Sequence, residues 1–217
     1  MATLRPFDKL PGLNEAVMLL VGTDAHLQEL LVEAMLKEPK GFDLKIHLAK
    51  SLPLPSEGDH QRPRIDLVVF LVNLQSQLSF STVESSLAHL DSSFFLGKVS
   101  FLVVGGVYGA SYLQLVRRGC IKADNHAKAR KSSTFWRPTG ICGRVKHCTV
   151  EMSAVKALAD AHLSTLLLTE LESEASRINT AQQLLRMLKV CAGLVPGVSA
   201  LYLGSVFKRP APLFQNN

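Results

Sequence analysis

The run Ala16-Val-Met-Leu-Leu-Val-Gly22 is short, apolar and closed by glycine, and helical spacing follows at once. That is where a phosphate-binding loop would sit. Such a loop needs glycines whose backbone amides wrap the phosphates, a lysine to neutralise them, and a Ser or Thr to hold magnesium. Laid from Gly22, the pattern G-x-x-x-x-G-K-[ST] puts Leu27 at the second glycine, Gln28 at the lysine and Glu29 at the Ser/Thr. All three chemical positions carry the wrong group. Asp24 and Glu29 also place negative charge in the first helical turn, which suits the helix dipole and repels a triphosphate. Gly22, Leu27, Gln28 and Glu29 therefore read as a degenerate phosphate loop, and no nucleotide cofactor is expected.

Other chemistry fares no better. A guanine-reading N-K-x-D would follow the strand ending at Gly105, but the next residues are Gly106, Val107, Tyr108 and Gly109. No D-x-x-G switch lies between the first helix and Asp66. Cys120, His126, Cys142, His147 and Cys148 lack the close C-x₂₋₄-C knuckle of a zinc site and read as incidental, so no metal is expected. No G-x-S-x-G turn supports Ser–His–Asp catalysis. His26, His47 and His89 read as ordinary surface or boundary residues. The chain is expected to be no enzyme and to take no small-molecule substrate.

The elements that would carry these positions alternate between strand and helix, which predicts βα units on a mostly parallel sheet. Leu27, Leu30, Leu31, Ala34 and Met35 form a helical stripe, capped by Thr23 or Asp24 and ended by Pro39 and Gly41. Residues 42–48 alternate like a half-exposed edge strand, and 51–64, with Pro53, Pro55 and Pro63, read as a loop. Residues 66–74 are the strongest buried strand. A helix with Phe80, Val83, Leu87 and Leu90 on one face follows, then a third buried strand over 99–105. A helix over about 150–162 buries Met152, Val155, Leu158 and Ala159, and a strand over 163–169 comes next. The last helix, about 174–192, carries Ile178, Ala181, Leu184, Leu185, Leu188 and Cys191 on one stripe.

Hydrophobic residues make up 47% of the 217 and charged ones 19%, so the chain is globular with room for one domain. No apolar run is long enough to cross a membrane. Pro6 and Asp8 stand where a secretory signal needs its apolar stretch, and four unpaired-looking cysteines suit a reducing compartment, so an intracellular protein is expected. The net charge of +6 is unevenly placed. Residues 107–147 hold nine Lys and Arg against the single acid Asp124, a net +8, and the remainder stands at −2. This stretch lacks periodicity, and a structureless connection of about 40 residues is improbable inside a compact domain. It reads as an insertion at 107–142 in a single domain over 1–206, followed by a flexible tail over 207–217. Phe135-Trp136 could touch nucleic acid, yet the basic stretch reads as a solvated charged loop with at most nonspecific or indirect DNA contact.

The fold expected is α/β: a three-layer, doubly wound, mostly parallel sheet. The plainer reading is an α/β domain whose first glycine only punctuates a strand. Strand order, the Gly22 turn and the Val-Val-Gly105 strand end together favour a small-GTPase-like fold without a functional phosphate loop. Two apolar stretches fit its interior poorly. Ser92-Ser-Phe-Phe-Leu-Gly97 stands where a polar loop is expected, and 195–207 continues beyond the final helix. Exposed apolar patches mark partner surfaces, so Leu96, Leu201, Phe94 and Tyr202 are the candidate partner contacts; for Phe94 and Phe95, folding back onto the core competes equally.

Five blocks carry a specific resemblance: 4–14 (LRPFDKLPGLN), 48–55 (LAKSLPLP), 62–66 (RPRID), 93–98 (SFFLGK) and 191–201 (CAGLVPGVSAL). In these the chain resembles the centromere protein M family, over about 3–106 and 143–206. The resemblance implies a pseudo-GTPase that neither binds nor hydrolyses nucleotide. It implies a nuclear subunit of the inner kinetochore, monomeric alone, that binds CENP-I directly alongside CENP-H and CENP-K in the constitutive centromere-associated network and serves kinetochore assembly and chromosome segregation. A divergent guanine-nucleotide switch and a pseudo-GTPase trafficking adaptor are the alternatives.

Overall fold

The structure, a computed structural model, describes residue 4 and residues 12–54, 64–105 and 149–203. Five parallel strands form one sheet in the order β2-β1-β3-β4-β5. They are β1 (Glu15–Val21), β2 (Asp43–Ala49), β3 (Leu67–Asn73), β4 (Val99–Val104) and β5 (Thr165–Leu168). Among the described residues four α-helices flank them: α1 (Ala25–Lys37), α2 (Gln77–Leu87), α3 (Met152–Ala161) and α4 (Glu174–Cys191). The expected three-layer α/β architecture is thus present and consistent with a small-GTPase-like fold. Among the described residues the sheet is wholly, not mostly, parallel.

Alternation along the strands splits the apolar residues between two cores. Met18 and Leu20 of β1, Val69 and Leu71 of β3, and Leu102 of β4 face α1 and α4. Leu19, Val21, Val68, Phe70, Val72, Phe101 and Val103 face α2 and α3. A strand covered on both sides must be apolar at every position, and this is why β1, β3 and β4 show no polar alternation. Phe70 and Phe101 stack across β3 and β4 with centroids 5.7 Å apart; burying each such ring contributes about 1.5–3 kcal/mol.

Helix boundaries follow their caps. Asp24, one of the two expected, caps α1 by accepting from the Leu27 amide at 3.2 Å. Ser76 caps α2 through the Ser79 amide. Several details differ from expectation. Ile178, expected inside, sits on the solvent side of α4, whose buried face includes Thr180 and Met187 instead. Leu90 reaches the core from beyond the end of α2. Met152 and Leu158 are partly buried at the core's margin. Leu163 precedes β5 as an exposed turn residue with φ of 50°. A 3-10 turn over Ser92–Phe95, capped by Asp91, stands where a polar loop is expected. The inferred insertion at 107–142 and the tail over 207–217 lie outside the described residues.

At the strand N-termini, Asp66 is almost wholly buried between two partners. One carboxylate oxygen accepts from Arg64 Nε at 2.7 Å and the other from the Val17 amide at 3.0 Å. The pair fixes the approach of the chain to β3 against β1, because a buried carboxylate is tolerated only when both oxygens are satisfied.

Candidate functional site

In open α/β sheets ligands bind beyond the carboxyl ends of the strands, at the switch between neighbours wound in opposite directions. Here that switch lies between β1 and β3, and the Gly22 turn stands at it. Gly22 is needed there for packing: a β-carbon would come within 2.9 Å of Leu71 Cβ. Its amide donates to the Ala49 carbonyl at 2.9 Å, inside the protein. Leu27 is half-buried against the core and Glu29 is exposed.

Gln28, at the position where a phosphate loop would carry lysine, points backward. Only 3% of it is exposed. Its Nε2 donates to the Leu20 carbonyl and to the Ala49 carbonyl, each at 3.1 Å. It therefore ties the carboxyl ends of β1 and β2 together and presents nothing outward. Among the described residues, other side chains at this end also bond to neighbouring groups. The Asn73 side chain accepts from the Gln75 amide at 3.0 Å, and Gln75 Nε2 donates to the Gly105 carbonyl at 3.1 Å. Thr169 and Thr180 share a hydroxyl hydrogen bond of 2.6 Å between the end of β5 and α4. The internal role of Gln28 was invisible from composition: a lone Gln in a first helical turn looks solvent-facing, and only the placement of β2 gives it a carbonyl to reach.

At the opposite end of the sheet, near the starts of β4 and β5, apolar residues are exposed. The 3-10 turn precedes β4, Leu163 precedes β5, and α4 ends there, where the Cys191 thiol donates to the Gly97 carbonyl at 3.6 Å. Gly97 adopts φ of 89°, and a β-carbon on it would collide with the Ala200 carbonyl. This contact holds the turn and the segment 199–203 side by side. Leu96, Leu201 and Tyr202 stand out from it, 54%, 59% and 63% exposed. Phe94, grouped with them from sequence, is 0% exposed and belongs to the core under β4. Successive side chains of a 3-10 turn point about 120° apart, so Phe94 anchors the turn while Phe95 stacks on His162 with centroids 4.8 Å apart. Val198 and Leu163 are exposed as well. Leu163 was read as part of a strand; its left-handed backbone leaves no mark in sequence when the residue is not glycine.

Beneath this surface lie Lys98 and Cys191, both nearly buried. Burial lowers the Lys98 pKa from its ordinary value, against the raising influence of Cys191 and Asp66. Burial also pushes the Cys191 thiol up to about 12, so it stays protonated and unreactive. Among the described residues no group of three or more His, Cys, Asp or Glu could hold a metal ion, while Cys120, His126, Cys142, His147 and Cys148 lie outside them.

Comparison with known proteins adds the family. The centromere protein M (CENP-M) family matches residues 1–123 and 139–210. Centromere protein M of Xenopus laevis is 53% identical over 205 residues, covering 94% of each chain. The Homo sapiens protein is 45% identical over 208 residues, covering 96% of this chain and 94% of its own. That of Danio rerio is 35% identical over 207 residues, 95% and 92%. Agreement of this extent makes this chain a member of the centromere protein M family, a protein of the centromere and kinetochore in the nucleus.

Proposed function

We propose that the chain is a non-catalytic structural subunit of the inner kinetochore, a pseudo-GTPase that works by binding partners. Its direct partner is CENP-I, and it stabilises the assembly with CENP-H and CENP-K for kinetochore assembly and chromosome segregation. The observation that carries this reading is the pairing of Gly97 with Ala200, which gathers Leu96, Leu201 and Tyr202 into one exposed apolar surface. Such a surface costs solubility unless a partner covers it. The inward-facing Gln28 supports the non-catalytic half of the reading, because the group at the lysine position is consumed by two internal hydrogen bonds.

The domain is read as one unit over 1–206 with 107–142 inserted. Leu74 supports this. Its amide donates to the Val104 carbonyl, and its own carbonyl accepts from the amides of Thr149 and Val150 at 2.9 and 3.0 Å. One residue thus ties the point where the chain leaves β4 to the point where it returns toward α3. The family match includes 107–123 and 139–142 and leaves out only 124–138, so the part of the inferred insertion without a counterpart is shorter than 107–142.

The test is co-purification of the Leu201→Glu variant with CENP-I. Binding should be abolished while the circular dichroism spectrum is unchanged. Retained binding at full stoichiometry would remove Leu201 and its surface from the proposal.

A further inference from the structure

Leu4 lies against Leu90 in a parallel β-bridge, although the two are far apart in the chain. Its amide donates to the His89 carbonyl at 2.9 Å, and its carbonyl accepts from the Asp91 amide at 3.0 Å. Its side chain is buried in the same core cluster as Leu90 and Phe94. Leu4 therefore grips residues 89–91 twice, through its backbone and through its apolar side chain.

The gripped residues link two helical elements. Helix α2 ends at Leu87 and the 3-10 turn begins at Ser92, so 88–91 set the direction in which the turn starts. Asp91 is the cap of that turn. Its Oδ1 accepts from the Ser93 amide at 2.9 Å and from the Ser93 hydroxyl, and its carbonyl accepts from the Phe94 amide at 3.1 Å. The next links are inside the turn: the Ser93 carbonyl accepts from the Leu96 amide, and the Phe94 carbonyl from the Lys98 amide just before β4. A cap orients a turn only when its own backbone is fixed. The carboxylate and carbonyl of Asp91 serve the turn, and its amide is the group that Leu4 holds. Without Leu4 the Asp91 amide and the His89 carbonyl lose these partners, and the core loses a buried leucine beside Leu90.

We infer that Leu4 is a positioning residue for partner binding: it holds Asp91, Asp91 caps the 3-10 turn, and the turn sets where Leu96 stands beside Leu201. The inference rests on the reading of Leu96 and Leu201 as the surface that meets CENP-I. Leu4 is 5% exposed, so it acts on that surface through Asp91 and not by touching a partner. It fixes the entry to the turn, as the contact of Gly97 with Ala200 fixes the exit.

The experiment is a double-mutant cycle on the full chain, read by CENP-I affinity and by amide exchange in the free protein. Leu4→Ala should quicken exchange at the Ser93 and Phe94 amides at least tenfold, because they open locally with the cap. It should weaken CENP-I binding at least tenfold at a temperature where circular dichroism shows the chain folded. Leu4→Met keeps the apolar volume and should bind like the unaltered chain. Leu31→Ala, which empties a buried site in the core on the other face of the sheet, controls for lost stability and should change neither readout more than about twofold. Asp91→Ala should weaken binding as Leu4→Ala does, and the double variant should be weaker than Asp91→Ala by no more than about twofold, since the two act in series. Should Leu4→Ala not fold, Leu4→Val carries the same cycle with a smaller truncation. Losses that multiply in the double variant would show independent effects and overturn the inference. Unchanged exchange at Ser93 and Phe94 in Leu4→Ala, or an equal loss of binding in Leu31→Ala, would overturn it too. If the unaltered chain binds no CENP-I, the proposed partner falls, and the exchange rates across the same cycle decide for or against Leu4 by themselves.

Discussion

Gly97 and Ala200 are in backbone contact, with no room for a β-carbon between the Gly97 α-carbon and the Ala200 carbonyl. The contact sets the register between a 3-10 turn and a segment more than a hundred residues later, and so fixes the spacing of Leu96 and Leu201.

Gly97→Ala should therefore act on binding more than on the fold. The variant faces both a collision and a left-handed backbone, a strain of about 1–3 kcal/mol that is relieved by displacing 199–203. The thermal midpoint should fall by a few degrees. CENP-I retention in a pull-down should fall at least tenfold. A variant that melts lower but binds normally would show that the two apolar segments act independently.

Gln28→Ala should destabilise by about 1–3 kcal/mol, because the Leu20 and Ala49 carbonyls lose a buried donor. Chemical denaturation measures this. Restoring the lysine, Gln28→Lys, should bring no nucleotide affinity, since Leu27 and Glu29 still lack the glycine and the magnesium ligand. Calorimetry with millimolar GTP and magnesium should show no saturable heat for either chain. Micromolar binding by the unaltered protein would reinstate a nucleotide switch.

Deleting 107–142 should leave the fold intact. Leu74 already joins the chain on both sides of the excised stretch, so the seven remaining residues, 106 and 143–148, need only close a short loop, and shortening a loop carries a small entropic change. The deleted protein should keep a cooperative thermal transition and the proposed binding to CENP-I. Loss of the transition would place the stretch within the core fold.

His47 makes stability depend on pH. Among the described residues its Nε2 is buried without a hydrogen-bond partner, and burial, then the charge of Lys45, lowers its pKa below the ordinary 6.5. The unfolded chain then takes up a proton at higher pH than the native one. Stability is full above about pH 6.5 and is lost as pH falls through the lower native value. His47→Leu removes both the titration and the unpaired nitrogen. Its melting temperature should fall less between pH 7.5 and 5 than that of the unaltered chain. Equal slopes would mean that other groups carry the acid sensitivity.

The sequence by itself determined the layers. Runs such as 67–72 and 101–104 are apolar at every position, and strands covered on both faces require that; the 3.6-residue stripes of α1 and α2 then name the faces that cover them. It also determined that the lysine, glycine and Ser/Thr of a phosphate loop are missing at Leu27, Gln28 and Glu29, since chemistry absent from the residue type cannot be supplied by folding. What only the tertiary structure decided is direction. Phe94 and Leu96 belong to one short apolar run, yet one fills the core and the other faces water, because a 3-10 turn separates them by two-thirds of a turn. Gln28 turns inward because β2 brings the Ala49 carbonyl within reach across 21 residues of chain. Leu201 stands beside Leu96 because Gly97 admits Ala200. Local pattern sets which residues must be buried; long-range contact sets which of the remainder meet, and no periodicity in the chain encodes that.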